Sequence, residues 1–251
     1  MEVCHVGSAC RMEGDRPIFD HTKIILRGVA DEFFYARSNE ELCMGEVDVD
    51  ALDTVPIARD IIWPLAEPEL TLAPEPLPAT CYLKRPNLIF FEPDAETYDF
   101  KETTLGEVKA CELLRKHPHP NIAPYFGCVV KNGTIRGLVF KKYSVTLSEM
   151  LENGVLFDKD HCLDGIETGV RHMHDLGLVH NDLNPSNIMM DGDTPVIIDF
   201  DSCKPEGEEL GTKGGTWGYS LDQEEYSKRD NDIYSLSKIR EAVMLGKDFN
   251  S

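Results

Sequence analysis

The run His180-Asn181-Asp182-Leu183-Asn184-Pro185-Ser186-Asn187 sets an acid and, five positions later, an amide in one short polar segment. Twelve residues past Asn187 comes Asp199-Phe200-Asp201, directly behind the apolar run Val196-Ile197-Ile198. Phosphoryl transfer uses this set of groups. One carboxylate, Asp182, can orient an attacking hydroxyl and take its proton. An amide, Asn187, and a second carboxylate, Asp199, offer hard oxygen ligands to a magnesium ion that bridges nucleotide phosphates. A lone His-x-Asp triplet is common and says little. The full spacing, with an apolar strand between its halves, is specific.

The elements that must hold these groups fit the bulk properties of the chain. Its 251 residues suit one large domain or two lobes sharing a cleft, and 41% hydrophobic residues allow a substantial core. Forty-five acids against 25 bases give a net charge of −20, which argues against nucleic-acid or anionic-membrane partners. An anionic nucleotide would have to be held by local magnesium and lysine. No run is long enough to span a membrane and no basic-then-apolar leader is seen, so neither a membrane span nor a signal peptide is expected. The eight cysteines are scattered without a Cys-x-x-Cys pair, as in a reducing, intracellular protein of cytoplasm or nucleus.

Residues 1–20 are polar, mixed and aperiodic, and are expected to lack regular structure. Residues 22–26 and 33–37 read as strands around a turn. An acidic patch and then a crowd of prolines (Pro56, Pro64, Pro68, Pro74, Pro76, Pro78) indicate an extended connector, packed through Ile61, Ile62 and Trp63. Residues 81–84 and 88–91 read as partner strands. Residues 104–115 read as a helix with Leu105, Val108, Cys111 and Leu114 on one face. Asn132-Gly133 joins strands 128–131 and 137–142 in a hairpin. Helices are expected from about residue 144, over 159–176 ahead of Gly177, and from Asp232 to Leu245. Strands first and helices second imply a sheet-rich lobe joined to a helical one.

With these pieces in view, the chain resembles the protein kinase family over about residues 80–245. The run from His180 to Asn187 resembles the catalytic loop, and Asp199-Phe200-Asp201 the magnesium-binding motif. Gly215-Thr216-Trp217-Gly218-Tyr219 resembles the end of the activation segment. Asp232-Ile233-Tyr234-Ser235-Leu236 resembles the start of the large helix beneath the catalytic loop. His117-Pro118-His119-Pro120-Asn121-Ile122 resembles the turn after the regulatory helix. The wording around Lys84-Arg85-Pro86 and from Gly214 to Tyr219 is also similar to small fungal kinase-like proteins.

The resemblance implies an α+β, two-lobed kinase-like fold with a small antiparallel β lobe and a helical lobe lacking the late helices. The organisation expected is 1–20 without order, 21–79 an N-terminal extension and proline-rich connector, 80–143 the small lobe, and 144–251 the helical lobe. It implies ATP and Mg2+ as cofactors and a protein substrate or binding partner. Asp182 becomes the catalytic base, with Asn187 and Asp199 as metal ligands. Lys84 contacts the nucleotide phosphates and Glu107 is its ion-pair partner, with Lys101 and Glu112 as the fallback pair. Lys141 and Tyr143 join the nucleotide site. His180 packs beneath the loop with Phe200, and Asp232 anchors the loop backbone, a plain helix N-cap being the competing reading.

The pattern is also broken in places. No glycine lies between Val47 and Cys81, so the glycine-rich loop is missing. Tyr82 stands where the family keeps a small residue above the adenine. Asn181 replaces an arginine that pairs with a phosphorylated activation loop, and Asn184 replaces a lysine that neutralises the transferring phosphate. Asp201 replaces a glycine. The segment ends in Ser220-Leu221-Asp222-Gln223 rather than Ala-Pro-Glu, and the sequence stops at Ser251 soon after the last helix. Three readings follow: a protein kinase acting on serine or threonine, which Thr216 favours by its place beside the catalytic aspartate; a small-molecule phosphotransferase of the aminoglycoside or choline kinase type, which Asp201 favours; and a pseudokinase binding module, which the missing glycines favour.

Overall fold

A computed structural model of the chain describes residues 1–14, 16–93, 98–211, 215–221 and 224–249. The chain divides into two compact units: residues 1–64 with 85–102, and residues 65–84 with 103–251.

The first unit is a four-stranded antiparallel sheet in the order β1 (Glu2–Glu13), β2 (Arg16–Arg27), β3 (Phe33–Ser38), β4 (Val55–Ile57), followed by the single-turn helix α1 (Arg59–Ile62). Alternation along β2 and β3 sends side chains to two faces. Ile25, Phe33 and Tyr35 join Ile57, Ile62, Trp63, Leu88, Phe91 and Phe100 in one cluster, while Ile24, Leu26 and Ala36 form another. Residues 1–20, expected to lack order, instead supply β1 and the start of β2. The strands pair from Glu2↔Arg27 to Glu13↔Arg16, and backbone ladder bonds hold a sequence that its own side-chain pattern would not. Residues 88–91 are a second correction. They form no strand, because Leu88 and Phe91 are buried in the first unit's core.

The second unit carries the two lobes of a kinase-like fold. In its small lobe, β5 (Cys81–Lys84), β7 (Thr134–Lys141) and β6 (Tyr125–Lys131) form an antiparallel sheet in the order β5-β7-β6. Asn132 and Gly133 both take positive φ, 54° and 73°, the turn that a two-residue hairpin between β6 and β7 requires. The helix α2 (Phe100–Lys116) packs Val108, Cys111 and Leu114 into the main core; its first three residues belong to the first unit. The helical lobe holds α3 (Leu147–Glu152), α4 (Lys159–Asp175) and α5 (Arg229–Leu245), with short strands β8 (Leu178–Val179), β9 (Ile188–Asp191), β10 (Thr194–Ile197) and β11 (Lys204–Pro205). Thr146 caps α3 in a reciprocal box with Glu149, and Gly246 ends α5 in the left-handed conformation. No helix among the described residues is long and apolar enough to cross a membrane. None of the eight cysteines is in a disulfide.

Candidate active site

The polar run beginning at His180 is the connection between β8 and β9, and side chains rather than regular ladders hold it. Asp232 is fully buried and lies inside α5, three residues past its start, so it is not the helix cap. Its carboxylate accepts the backbone N–H groups of His180 and Asn181, both at 2.9 Å, and His174 Nε2 at 2.8 Å. His180 Nε2 donates to the Ile198 carbonyl at 2.9 Å, and its ring lies 5.8 Å from that of Phe200. Both nitrogens of His180 serve the backbone, since Nδ1 accepts from Asp182 N.

Asn181 adopts φ 64°, a left-handed conformation that asparagine tolerates better than most residues. Its amide donates to the carbonyls of Val179 and Ser202 and to Ser227 Oγ, each at 3.1 Å. Asn184 caps the 3-10 turn Pro185–Asn187 by accepting from Ser186 N and Asn187 N. Its Nδ2 faces Asp182 O and Thr216 Oγ1, at 3.2 and 3.0 Å. Thr216 donates its hydroxyl to Asp182 Oδ1 at 2.6 Å and its N–H to the same oxygen at 3.0 Å. Asn187 Nδ2 reaches Asp182 O at 2.8 Å and, more weakly, Asp182 Oδ2 at 3.3 Å. The Ile198 N–H donates to the Asn187 carbonyl, which sets Asp199 beside the loop.

Asp199 itself sits at φ 63°, a strained position for a residue with a Cβ. Lys84 Nζ donates to Glu107 Oε1 at 2.6 Å and to Asp199 Oδ1 at 2.7 Å, with Asp201 Oδ2 at 3.8 Å. The predicted Lys84–Glu107 pair is therefore formed, across 23 residues of sequence. The fallback pair is not: Lys101 is exposed, and Glu112 instead accepts the N–H and hydroxyl of Thr71. Burial pulls the Lys84 ammonium down, but Asp199, Glu107 and Asp201 outweigh it and hold it well above its ordinary value. Burial pushes the Glu107 carboxyl up to about 7, against the pull of Lys84.

Among the described residues no three His, Cys, Asp or Glu side chains are grouped to hold a metal ion by themselves. Oxygen donors from Asp199, and from the carbonyl end of the Asn187 amide, suit a hard ion.

A cavity of about 250 Å³ opens next to the cluster, lined by Tyr82, Lys84, Phe140, Lys141, Tyr143, Met189, Ile198 and Asp199. Lys141 and Tyr143, both predicted for the nucleotide site, line it. Lys141 Nζ also pairs with Asp191 at 2.6 Å and lies 5.1 Å from the Tyr143 ring centroid. Burial, then Asp191, pushes the Tyr143 phenol up to about 12. Tyr82 is 54% exposed at the cavity wall.

Sequence reasoning missed three supports. Asn184 is a cap and a spacer, which the Asn-Pro-Ser wording signals as an N-terminal turn. Asp248 is buried and accepts from Tyr219 Oη at 2.6 Å and from Ser148 Oγ; no motif marks it. Thr71 lies in the proline-rich stretch and carries no signal of its own. Asp222 and Gln223, at the end of the activation segment, lie outside the described residues.

Comparison with known proteins bears on the family to which the chain is similar. The model of the protein kinase domain matches residues 91–249. The serine/threonine-protein kinase/endoribonuclease IRE1 of Hypocrea jecorina is 28% identical over 137 residues, covering 49% of this chain and 11% of that protein. The leucine-rich repeat receptor-like protein kinase TDR of Arabidopsis thaliana is 27% identical over 173 residues, 59% of this chain and 16% of its own length. The cysteine-rich receptor-like protein kinase 6 of Oryza sativa subsp. japonica is likewise 27% identical over 173 residues, 57% of this chain and 23% of its own length. The chain thus spans less than a quarter of the length of these relatives.

Proposed function

This chain belongs to the protein kinase family, and from that premise we propose that it transfers the terminal phosphoryl group of MgATP to a serine or threonine hydroxyl of a protein. The observation that carries the reading is the bonding of Asp182. Its Oδ1 is taken by the hydroxyl and N–H of Thr216, whereas among the described residues Oδ2 has a single 3.3 Å contact, from Asn187. Oδ2 is the free face that would orient a substrate hydroxyl and accept its proton.

The remaining residues take complementary roles. Magnesium, when bound, would neutralise charge on the nucleotide phosphates; Asp199 and the side-chain amide oxygen of Asn187 would hold it. Lys84, kept in place by Glu107, would exchange its contact with Asp199 for phosphate oxygens. Tyr82, Phe140 and Met189 supply apolar wall for a nucleobase. Asn184 supplies no positive charge to the transferring group, so the rate is expected to be modest. The free thiols support an intracellular, reducing location.

The test is phosphate transfer from labelled ATP with magnesium to a generic protein substrate and to a panel of small alcohols, with Asp182→Asn and Asp199→Asn alongside. Signal on protein lost in both variants supports the proposal. Signal on alcohols alone makes the chain a small-molecule phosphotransferase. No transfer by a normally folded parent makes it a binding module.

A further inference from the structure

We infer that residues 65–73, part of the stretch read from sequence as a connector, form a strap that positions α2, with Thr71 and Glu112 as its clasp. This rests on the kinase reading above, because α2 carries Glu107. The clasp is two-pronged. Thr71 N donates to Glu112 Oε1 at 2.8 Å and Thr71 Oγ1 donates to Glu112 Oε2 at 2.9 Å. A carboxylate that takes two donors from one residue fixes direction as well as distance. Glu112 lies five residues from Glu107 on the same helix, so what holds one restrains the other.

The strap has its own footing. It runs along the outer edge of β6: Ala66 N donates to Gly133 O, Cys128 N to Thr71 O, and Ala73 N to Cys128 O, all at 2.8–2.9 Å. Bridges join Leu65 to Thr134 and Leu72 to Cys128. Ala66 and Leu70 pack on the main core. β6 is shaped to receive it, since a Cβ on Gly127, whose φ is +119°, would come within 2.6 Å of Thr71 O and the Leu72 carbonyl carbon. The strap therefore joins the sheet edge to the helix, and Thr71 grips α2 through both its N–H and its hydroxyl. Without that grip α2 is freer to swing, and Glu107 leaves Lys84.

Thr71 and Glu112 are thus positioning residues that act through Glu107. The experiment compares the parent with Thr71→Ala, Thr71→Ser and Glu112→Ala in hydrogen–deuterium exchange over residues 103–116, and in MgATP titration in the parent and Glu107→Gln backgrounds. The expected result is faster exchange of α2 in Thr71→Ala and Glu112→Ala but not in Thr71→Ser. MgATP affinity should fall on the order of 10-fold in Thr71→Ala, the scale of one hydrogen bond to a charged group. That loss should shrink below about twofold in the Glu107→Gln background, where the pair is already gone. Unchanged exchange overturns the inference, and so does a full-sized affinity loss that persists in Glu107→Gln. The exchange arm needs no nucleotide, so it stands even if the parent binds no MgATP, an outcome that would remove the kinase reading instead.

Discussion

The hydroxyl of Thr216 donates to Asp182 Oδ1 at 2.6 Å, across 34 residues of sequence. A hydrogen bond to a charged acceptor in a partly buried place contributes about 1.5–3 kcal/mol. Thr216→Ala should lower phosphoryl transfer roughly ten- to a hundredfold with little change in nucleotide affinity, and Thr216→Ser should restore most of it. Steady-state kinetics at saturating ATP checks this; a Thr216→Ala enzyme as fast as the parent would contradict it.

Asp232 poses a stability question rather than a catalytic one. It is fully buried and gathers three donors, two of them backbone N–H groups of the catalytic loop. Asp232→Ala strands all three, and unsatisfied buried donors cost about 1–3 kcal/mol each. A loss of about 3–5 kcal/mol is expected in urea unfolding. Asp232→Asn, which keeps one acceptor oxygen, should fall between that variant and the parent.

The raised Glu107 carboxyl makes stability depend on pH in a defined direction. Its ordinary value is 4.5 and burial pushes it to about 7 in the folded chain. Between those values the folded protein holds a proton that the unfolded chain has released. The contribution of this group therefore grows as pH falls from 7 to 4.5 and is lost as pH rises through 7. Relative to Glu107→Gln, the parent should lose about 2–3 kcal/mol between pH 4.5 and 7.5. Urea titrations at a series of pH values measure it, and a difference that stays flat would refute it.

Metal removal tests the acidic cluster. MgATP at 100 times its dissociation constant should stabilise the parent by about 2.7 kcal/mol, seen as a rise in melting temperature. Chelating the magnesium should remove most of that rise. Asp199→Asn should show a much smaller rise with magnesium present. Equal shifts in parent and variant would exclude Asp199 as a ligand.

The candidate site was legible as a pattern because phosphoryl-transfer chemistry constrains the spacing of its groups. The loop-strand pattern singled out Asp182, Asn187 and Asp199; in the fold Asn187 reaches Asp182, and Lys84 bonds both Glu107 and Asp199 despite the long gap. The Asn132-Gly133 hairpin was legible from its positive-φ demand. What stayed hidden was set by partners far away in sequence. The β1 strand reads as disorder because its ladder is made with β2 and not by its own pattern. Residues 88–91 look like a strand because they are apolar, yet that apolarity serves the core of the other unit. Thr71 and Asp248 are ordinary residues whose meaning comes only from Glu112 and Tyr219.

Asn181 stands where the resemblance would place an arginine, and among the described residues its side chain bonds to neutral groups. Neutral hydrogen bonds are insensitive to ionic strength, unlike a latch made of opposite charges, which salt screens. The catalytic loop is thereby fastened without waiting for an added phosphate to complete it. Under the proposed function, a loop fastened this way would need no such phosphate, and its output would be governed by access to substrate or nucleotide.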